Sequence, residues 1–158
     1  MKKRLLRKPD EHYQDPLEAR KKAMDYLARR EYGQRELERK LASAGFDIDV
    51  SADAVSQLGS DGLQNDRRFT EAFVRSRGHQ GKGPTRVRAE LGERGVSGEL
   101  VEAILSEMSV DWFAQACDVR VKKFGPDFPA DFKEKARQMK FLQYRGFEQE
   151  HIQAAVDG

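Results

Sequence analysis

The stretch NDRRFTEAFVRSRGHQGKGPTRVRAELGERGV, residues 65–96, holds two short helical patterns separated by a glycine-rich break. In the first pattern, Phe69 and Phe73 recur at the i, i+4 spacing of one helix face. Pro84 suits the first position of the second helix, and Gly95 suits a helix C-terminus. The stretch therefore predicts a helix, a glycine-rich loop and a second helix.

The same stretch is rich in basic residues. Between positions 67 and 88 there are seven Lys or Arg and a single acid, Glu71. Because Lys and Arg position proteins on phosphates, we predict a partner- or nucleic-acid-binding surface made of Arg67, Arg68, Arg75, Arg77, Lys82, Arg86 and Arg88. We also predict that the loop glycines form a mobile connection whose backbone can approach a phosphate. The alternative is a solvated surface whose charges neutralise one another.

Composition favours helices and a large surface. Of the 158 residues, 35% are charged and 38% are hydrophobic, so a large globular core is not expected. Alternation of β-branched and aromatic residues is absent, and Ala, Leu, Glu, Arg and Lys dominate. We therefore predict an all-α fold.

Neither a membrane segment nor a secretory signal is expected. No apolar run approaches the roughly 20 residues that cross a bilayer, and the basic N-terminus is not followed by an apolar stretch. The one cysteine, Cys117, cannot form an internal disulfide and is compatible with a reducing cytosol. We predict a cytoplasmic protein without a membrane partner.

A motif of leucine, three residues, glycine and an apolar residue occurs three times, with separations of 50 and 51 residues. The three copies are Leu41-Gly45-Phe46, Leu91-Gly95-Val96 and Leu142-Gly146-Phe147. Another helical pattern precedes each copy and a third follows it. We therefore predict three tandem three-helix units in an elongated, curved array, with each unit burying part of its apolar face against its neighbours.

Turn and cap residues set the predicted boundaries. Residues 1–15 are expected to be a disordered basic arm, followed by units at 16–60, 61–108 and 109–158. Asn65 or Asp66 is expected to cap the first helix of the second unit, and Ser97 its third helix.

Candidate catalytic motifs fail on spacing. The sequence GHQGKGPT lacks the first glycine of a phosphate-binding loop, because Ser76 stands at that position, and Gly83 follows Lys82 where Ser or Thr is required. His12, His79 and His151 are too scattered to form a metal site or a catalytic triad. We predict no enzymatic activity, no cofactor and no metal.

The motifs resemble those of RecX regulatory proteins. Residues 62–77 (GLQNDRRFTEAFVRSR), 81–84 and 86–96 look like the central RecX motif. Residues 28–41 and 141–147 are similar to the flanking motifs, and the resemblance spans about residues 17–156. Thr70 is a minor departure, since alanine is usual there.

This resemblance implies a bacterial protein that binds the RecA filament on single-stranded DNA. It implies inhibition of the RecA ATPase, strand exchange and coprotease activities, with a role in DNA repair, homologous recombination and the SOS response. Single-stranded DNA is expected to be bound weakly or through RecA, and the chain is expected to be a monomer.

Two other classes stay open. One is a DNA-binding protein of helix-turn-helix type that acts without RecA, which the acidic third helices disfavour. The other is a small regulatory enzyme, which would lack a convergent catalytic set.

Overall fold

A computed structural model describes residues 9–158, in which every regular element is an α-helix. In chain order the helices are α1 (Pro9–Tyr13), α2 (Pro16–Leu27), α3 (Gln34–Ser43), α4 (Ile48–Ser60), α5 (Asp66–His79), α6 (Pro84–Glu93), α7 (Gly98–Met108), α8 (Trp112–Phe124), α9 (Phe132–Tyr144) and α10 (Gln149–Asp157). Strands are absent from these residues, which confirms the all-α prediction.

The expected disorder up to residue 15 is wrong for the end of that segment, where α1 forms. The Tyr13 ring packs edge-on against Phe46, with centroids 5.4 Å apart. The Asp47 N–H donates to the Tyr13 carbonyl at 3.0 Å. An aromatic contact of this kind contributes about 0.5–1.5 kcal/mol beyond area burial, which helps to offset the cost of ordering the chain. Residues 1–8 of the expected arm lie outside the described residues.

The chain divides into two compact units. The first extends to Phe69 and includes Arg94–Val96. Helices α2, α3 and α4 pack together in it. Their fully buried residues form one hydrophobic core, which contains Ala19, Ala23, Leu37, Leu41, Val55 and Leu58.

The second compact unit comprises Thr70–Glu93 and Ser97–Gly158. Helix α10 packs on both α8 and α9 there, and α6 contacts α7. The core around α8, α9 and α10 consists of Ala116, Leu142, Phe147, Ile152, Ala155 and Val156.

The repeated leucine–glycine motif forms the same helix ending in each copy. The glycines have φ values of +108° at Gly45, +81° at Gly95 and +94° at Gly146, a backbone region that favours glycine. In the first and third copies, the apolar residue after the glycine donates its N–H to the leucine carbonyl, at 3.1 and 3.2 Å. This is the hydrogen bond of a Schellman turn.

A residue from earlier in the chain covers each of these glycine turns. A Cβ placed on Gly45 would lie 2.8 Å from the Tyr13 ring, and one on Gly95 would lie 2.5 Å from the Arg35 side chain. A Cβ on Gly146 would lie 2.5 Å from the Arg86 Cβ. Glycine is therefore required at these turns for close packing as well as for backbone conformation.

Candidate nucleic-acid interface

The seven predicted basic residues are held in different ways. Arg67 and Arg68 belong to the first compact unit, and Arg75, Arg77, Lys82, Arg86 and Arg88 belong to the second.

Arg68 holds the turn before α5. Its Nε lies 3.2 Å from a carboxylate oxygen of Glu31. Its Nη2 donates to the carbonyls of Gly62 and Leu63, at 3.0 and 3.3 Å. The guanidinium therefore ties the turn to the loop before α3.

Arg77 and Lys82 share the carboxylate of Glu90. The Arg77 Nε and the Lys82 Nζ lie 3.2 and 3.0 Å from its two oxygens. The Arg77 guanidinium also lies 4.2 Å from the centre of the Phe73 ring. Burial alone would raise the pKa of Glu90, but hydrogen bonds and charge from Lys82 and Arg77 hold the pKa below its ordinary value. Glu90 therefore stays ionised and neutralises much of the local charge.

Arg88 is paired with two acids. Its Nε lies 2.6 Å from Glu102 and its Nη1 lies 2.8 Å from Glu148. The hydrogen bond to Glu102, followed by that to Glu148, raises the pKa of Arg88 in spite of its partial burial. Arg86 donates from Nη1 to the Tyr144 carbonyl at 2.9 Å. Arg86 thus connects α6 to the end of α9, and Arg88 connects it to the loop that follows α9.

Of the predicted set, Arg67, Arg68, Arg75 and Arg86 are exposed. Arg75 has no ion-pair partner among residues 9–158. Carboxylates pair with Arg68, Arg77, Lys82 and Arg88, whereas Arg86 donates to a neutral backbone carbonyl. Nucleic-acid contact by the seven residues stays a prediction.

The glycine-rich loop is closely packed where we expected a mobile phosphate-approaching connection. The Gly83 N–H donates to the Arg145 carbonyl at 2.7 Å, and the Thr85 N–H donates to the Gly146 carbonyl at 2.9 Å. A Cβ on Gly83 would overlap the backbone nitrogen of Phe147. Gly83 allows the loop before α6 to touch the backbone of residues 145–147. Its N–H already donates to the Arg145 carbonyl and so is not free to bind a phosphate.

Sequence reasoning missed a cluster of cations on aromatic rings where α8 lies against α9. Phe124 and Phe141 meet edge-to-face with centroids 5.3 Å apart. Lys123 and Arg145 lie 5.7 and 5.3 Å from the centre of the Phe141 ring, and Arg137 lies 5.1 Å from that of Phe124. We call these five residues the cation–aromatic seam. The excess of basic residues between positions 119 and 145 was the available signal.

Three aromatic side chains, Tyr144, Tyr32 and Trp112, differ in how far their rings are open to a stacking base. Tyr144, next to the seam, is 68% exposed, and the Lys140 Nζ lies 5.8 Å from its ring centre. Tyr32 is only 6% exposed and belongs to the first core. Trp112 is partly buried and packs against the core of α8, α9 and α10. Of these rings, only Tyr144 is open to a ligand.

A pocket of about 460 Å³ adjoins one end of the seam. Val119 and Phe141 supply apolar surface, and Lys122, Lys123 and Arg145 supply positive charge. The end of α5 and the turn that follows it, residues 78–81, line one side, and Asp118 also lines the space.

One group of ligand atoms among the described residues has the spacing of a metal site: Glu148, Glu150 and His151, within 4.8 Å of one another. Their contacts serve the start of α10. Glu148 donates its N–H to the His151 Nδ1 at 3.3 Å, and its carboxylate pairs with Arg88. This arrangement is explained by helix capping.

No helix between residues 9 and 158 combines the length and the apolar character that a membrane span requires.

Comparison with known proteins identifies the family. Models of the first, second and third three-helix domains of RecX match residues 19–58, 65–105 and 109–156. The chain belongs to the RecX family. The motif resemblance and the three tandem three-helix domains are thereby confirmed.

RecX proteins of other bacteria align over most of the chain. "Regulatory protein RecX" of Halorhodospira halophila is 44% identical over 134 residues, covering 85% of this chain and 83% of the relative. The protein of the same name from Pseudomonas fluorescens is 42% identical over 139 residues, covering 88% and 90%. The crystal structure of RecX from Lactobacillus salivarius superposes with a TM-score of 0.72 at 20% identity, covering 89% of this chain and 94% of that one. The structural similarity shows the shared fold.

Proposed function

We propose that this chain binds along the RecA filament on single-stranded DNA and inhibits the ATPase, strand-exchange and coprotease activities of RecA. The observation that supports the proposal is the match to all three RecX domains in order, together with relatives that are named regulatory proteins. We further propose that it acts as a cytoplasmic monomer.

The repeated organisation suits a repeating partner. A chain with three similar modules can engage successive positions on a regular polymer, and linked contacts bind more tightly than any one contact alone. Exposed cations such as Arg75 would contribute through attraction to phosphates or acidic side chains.

The test is RecA-dependent ATP hydrolysis on single-stranded DNA, with the chain added from below to above the RecA concentration. We expect hydrolysis to fall even when the chain is less concentrated than RecA. The matched control is hydrolysis by a DNA-independent ATPase, which should not respond. Unchanged RecA hydrolysis at a molar excess of the chain would contradict the proposal.

We propose that the chain itself has no catalytic turnover. Lys82, the one residue of the loop that invites a phosphate-binding role, is engaged by Glu90. Purified chain should therefore hydrolyse no ATP. Hydrolysis that copurifies with the protein and disappears in Lys82→Ala would overturn this.

The helix-turn-helix alternative is weakened by the charges of the third helices. Helices α4, α7 and α10 contain neither Lys nor Arg, whereas a recognition helix enters a groove between phosphates. Filter binding of duplex DNA in the absence of RecA separates the two functions. Tight sequence-specific retention would favour the alternative.

A further inference from the structure

The lysines of the pocket beside the cation–aromatic seam lack carboxylate partners, unlike most cations of the predicted basic surface. Lys122 and Lys123 are exposed, and neither has an ion-pair partner among the described residues. By contrast, Lys82 and Arg88 face carboxylates of Glu90 and Glu102. Only cations that carry solution counterions release them on binding a phosphate, and this release drives the association of proteins with nucleic acids.

The pocket also presents an aromatic surface that is held in place. Phe141 is half-buried against the core of α8, α9 and α10, so its ring has little freedom to move. Arg145 lies over this ring and donates to the Gln80 carbonyl at 3.2 Å, which fixes the guanidinium at the pocket wall. A flat ring and a guanidinium plane are the groups on which nucleobases stack.

We propose that this pocket binds one nucleotide of single-stranded DNA. Lys122 and Lys123 hold the phosphate, and the base lies against Phe141 and Arg145. The choice of single-stranded DNA as the ligand rests on the proposed function. The volume of about 460 Å³ falls within the range of small-ligand sites, about 300–1,000 Å³, and so accommodates a nucleotide.

The remaining polar groups favour a single phosphate. Asp118 is the one carboxylate at the pocket, and it offsets one of the three positive charges there. Tyr144 precedes Arg145 in the chain and is largely exposed, so it offers a second ring for the neighbouring base. An acidic protein segment would use the lysines but would leave these rings unused.

The first test is the anisotropy of a labelled thymidine oligomer with the full chain and no RecA. Lys122→Glu/Lys123→Glu should weaken binding about tenfold or more and reduce the salt slope by about 1.4, since each lost single-strand contact removes about 0.7. Lys21→Glu/Lys22→Glu on α2 is the matched control. It replaces two adjacent exposed lysines with the same change of charge, and affinity should fall less than about twofold.

Equal losses in the two double variants would show attraction to net charge alone and would overturn the proposal. Competition by polyglutamate of the same charge, as strong as that by the oligomer, would overturn it as well. That result would point instead to an acidic protein partner.

The aromatic contact has its own readout. A thymidine oligomer carrying 5-iodouracil should photo-crosslink to a peptide containing Phe141 or Tyr144, and Phe141→Leu should reduce the yield without changing the salt slope. Crosslinks confined to peptides outside α8, α9 and residues 78–81 would contradict the proposed pocket.

RecA assays on the same proteins keep the two proposals separate. A chain that inhibits RecA but does not bind the oligomer would overturn the pocket and leave the proposed function standing. A chain that binds through Lys122 and Lys123 but leaves RecA hydrolysis unchanged would support the pocket and overturn the proposed function.

Discussion

Gly83 shows how a single missing side chain sets the packing of the second compact unit. A Cβ at this position would lie 2.5 Å from the Gly146 carbonyl carbon and would overlap the Phe147 nitrogen, and neither backbone group can turn aside. We expect Gly83→Ala to lower the free energy of unfolding by about 1–3 kcal/mol, the usual cost of overpacking. Urea unfolding followed by circular dichroism measures this.

Gly92 provides the matched control for that substitution. It lies near the end of α6, the helix that begins directly after Gly83, and a Cβ there would meet nothing within 4 Å. Gly92→Ala should leave stability unchanged or raise it by at most about 1 kcal/mol, because alanine favours the helix. Equal unfolding midpoints for the two variants would refute the packing argument.

Glu90 is expected to make stability depend on pH. Its pKa is lower in the folded chain than the ordinary value of 4.5, so its contribution is complete above that value. The contribution is lost as the pH falls through the folded pKa. Glu90→Gln leaves the cations Arg77 and Lys82 without their shared carboxylate and should cost about 1–3 kcal/mol at pH 7.

The measurement is the difference in unfolding free energy between the parent chain and Glu90→Gln, at pH 7 and well below pH 4.5. The difference should shrink at the lower pH. Asp53→Asn, at an exposed position of α4, should show little change at either pH. A difference for Glu90→Gln that does not vary with pH would exclude the ionised carboxylate as its cause.

The positions of the basic residues could be predicted from the sequence, but their partners could not. The acid that pairs with Arg68 lies 37 residues away, and one acid that pairs with Arg88 lies 60 residues away. Local spacing predicts only pairs within a helix turn or two. Which cations are matched and which are free is therefore set by tertiary packing.

At the level of helices, capping residues in the sequence predicted several helix ends correctly. Ser97 caps α7, accepting from the Leu100 N–H at 3.2 Å, as predicted. Asn65 accepts from the Arg68 N–H at 2.9 Å and so caps α5. Asp66 instead accepts from the Gln34 N–H at 2.7 Å and caps α3, 32 residues earlier, because the residue before that helix is Gly33. A cap supplied from another helix leaves no local pattern to recognise.

This distant cap can be tested at Asp66. We expect Asp66→Ala to destabilise the chain by about 0.5–2 kcal/mol and to increase hydrogen exchange at the Gln34 amide, because the first turn of α3 loses its acceptor. Asp66→Asn keeps an acceptor oxygen and should retain most of the stability and protection. Identical behaviour of the two variants would show that the hydrogen bond to Gln34 is not the cause.

For the whole molecule, the repeat made the architecture predictable. Three copies of one motif at nearly equal spacing predict three similar modules, and the helix endings at Gly45, Gly95 and Gly146 agree in conformation. The cation–aromatic seam was not predictable in the same way. It depends on the contact between Phe124 of α8 and Phe141 of α9, and the residue pattern of either helix alone does not predict that contact.

The proposed inhibition of RecA should be sensitive to salt, because the proposed binding uses cations. We expect the fractional inhibition to fall between about 50 and 200 mM salt, because phosphate contacts weaken steeply over this range. Each value is taken relative to RecA alone at the same salt concentration, since RecA has its own salt dependence. Inhibition that does not respond to salt would mean that apolar contacts dominate the binding.

Each glycine turn is covered by a residue from earlier in the chain, and this has a consequence for how such proteins gain modules during evolution. Tyr13, Arg35 and Arg86 cover successive turns, and either tyrosine or arginine serves because each turn requires only a glycine and a close neighbour. A segment of about fifty residues carries one glycine turn, which the preceding module covers, and one arginine, which covers the turn of the following module, so its duplication copies both kinds of half-contact. A gene encoding such a protein can therefore gain or lose a module without evolving a new interface, and α1 supplies the cover that the first module would otherwise lack.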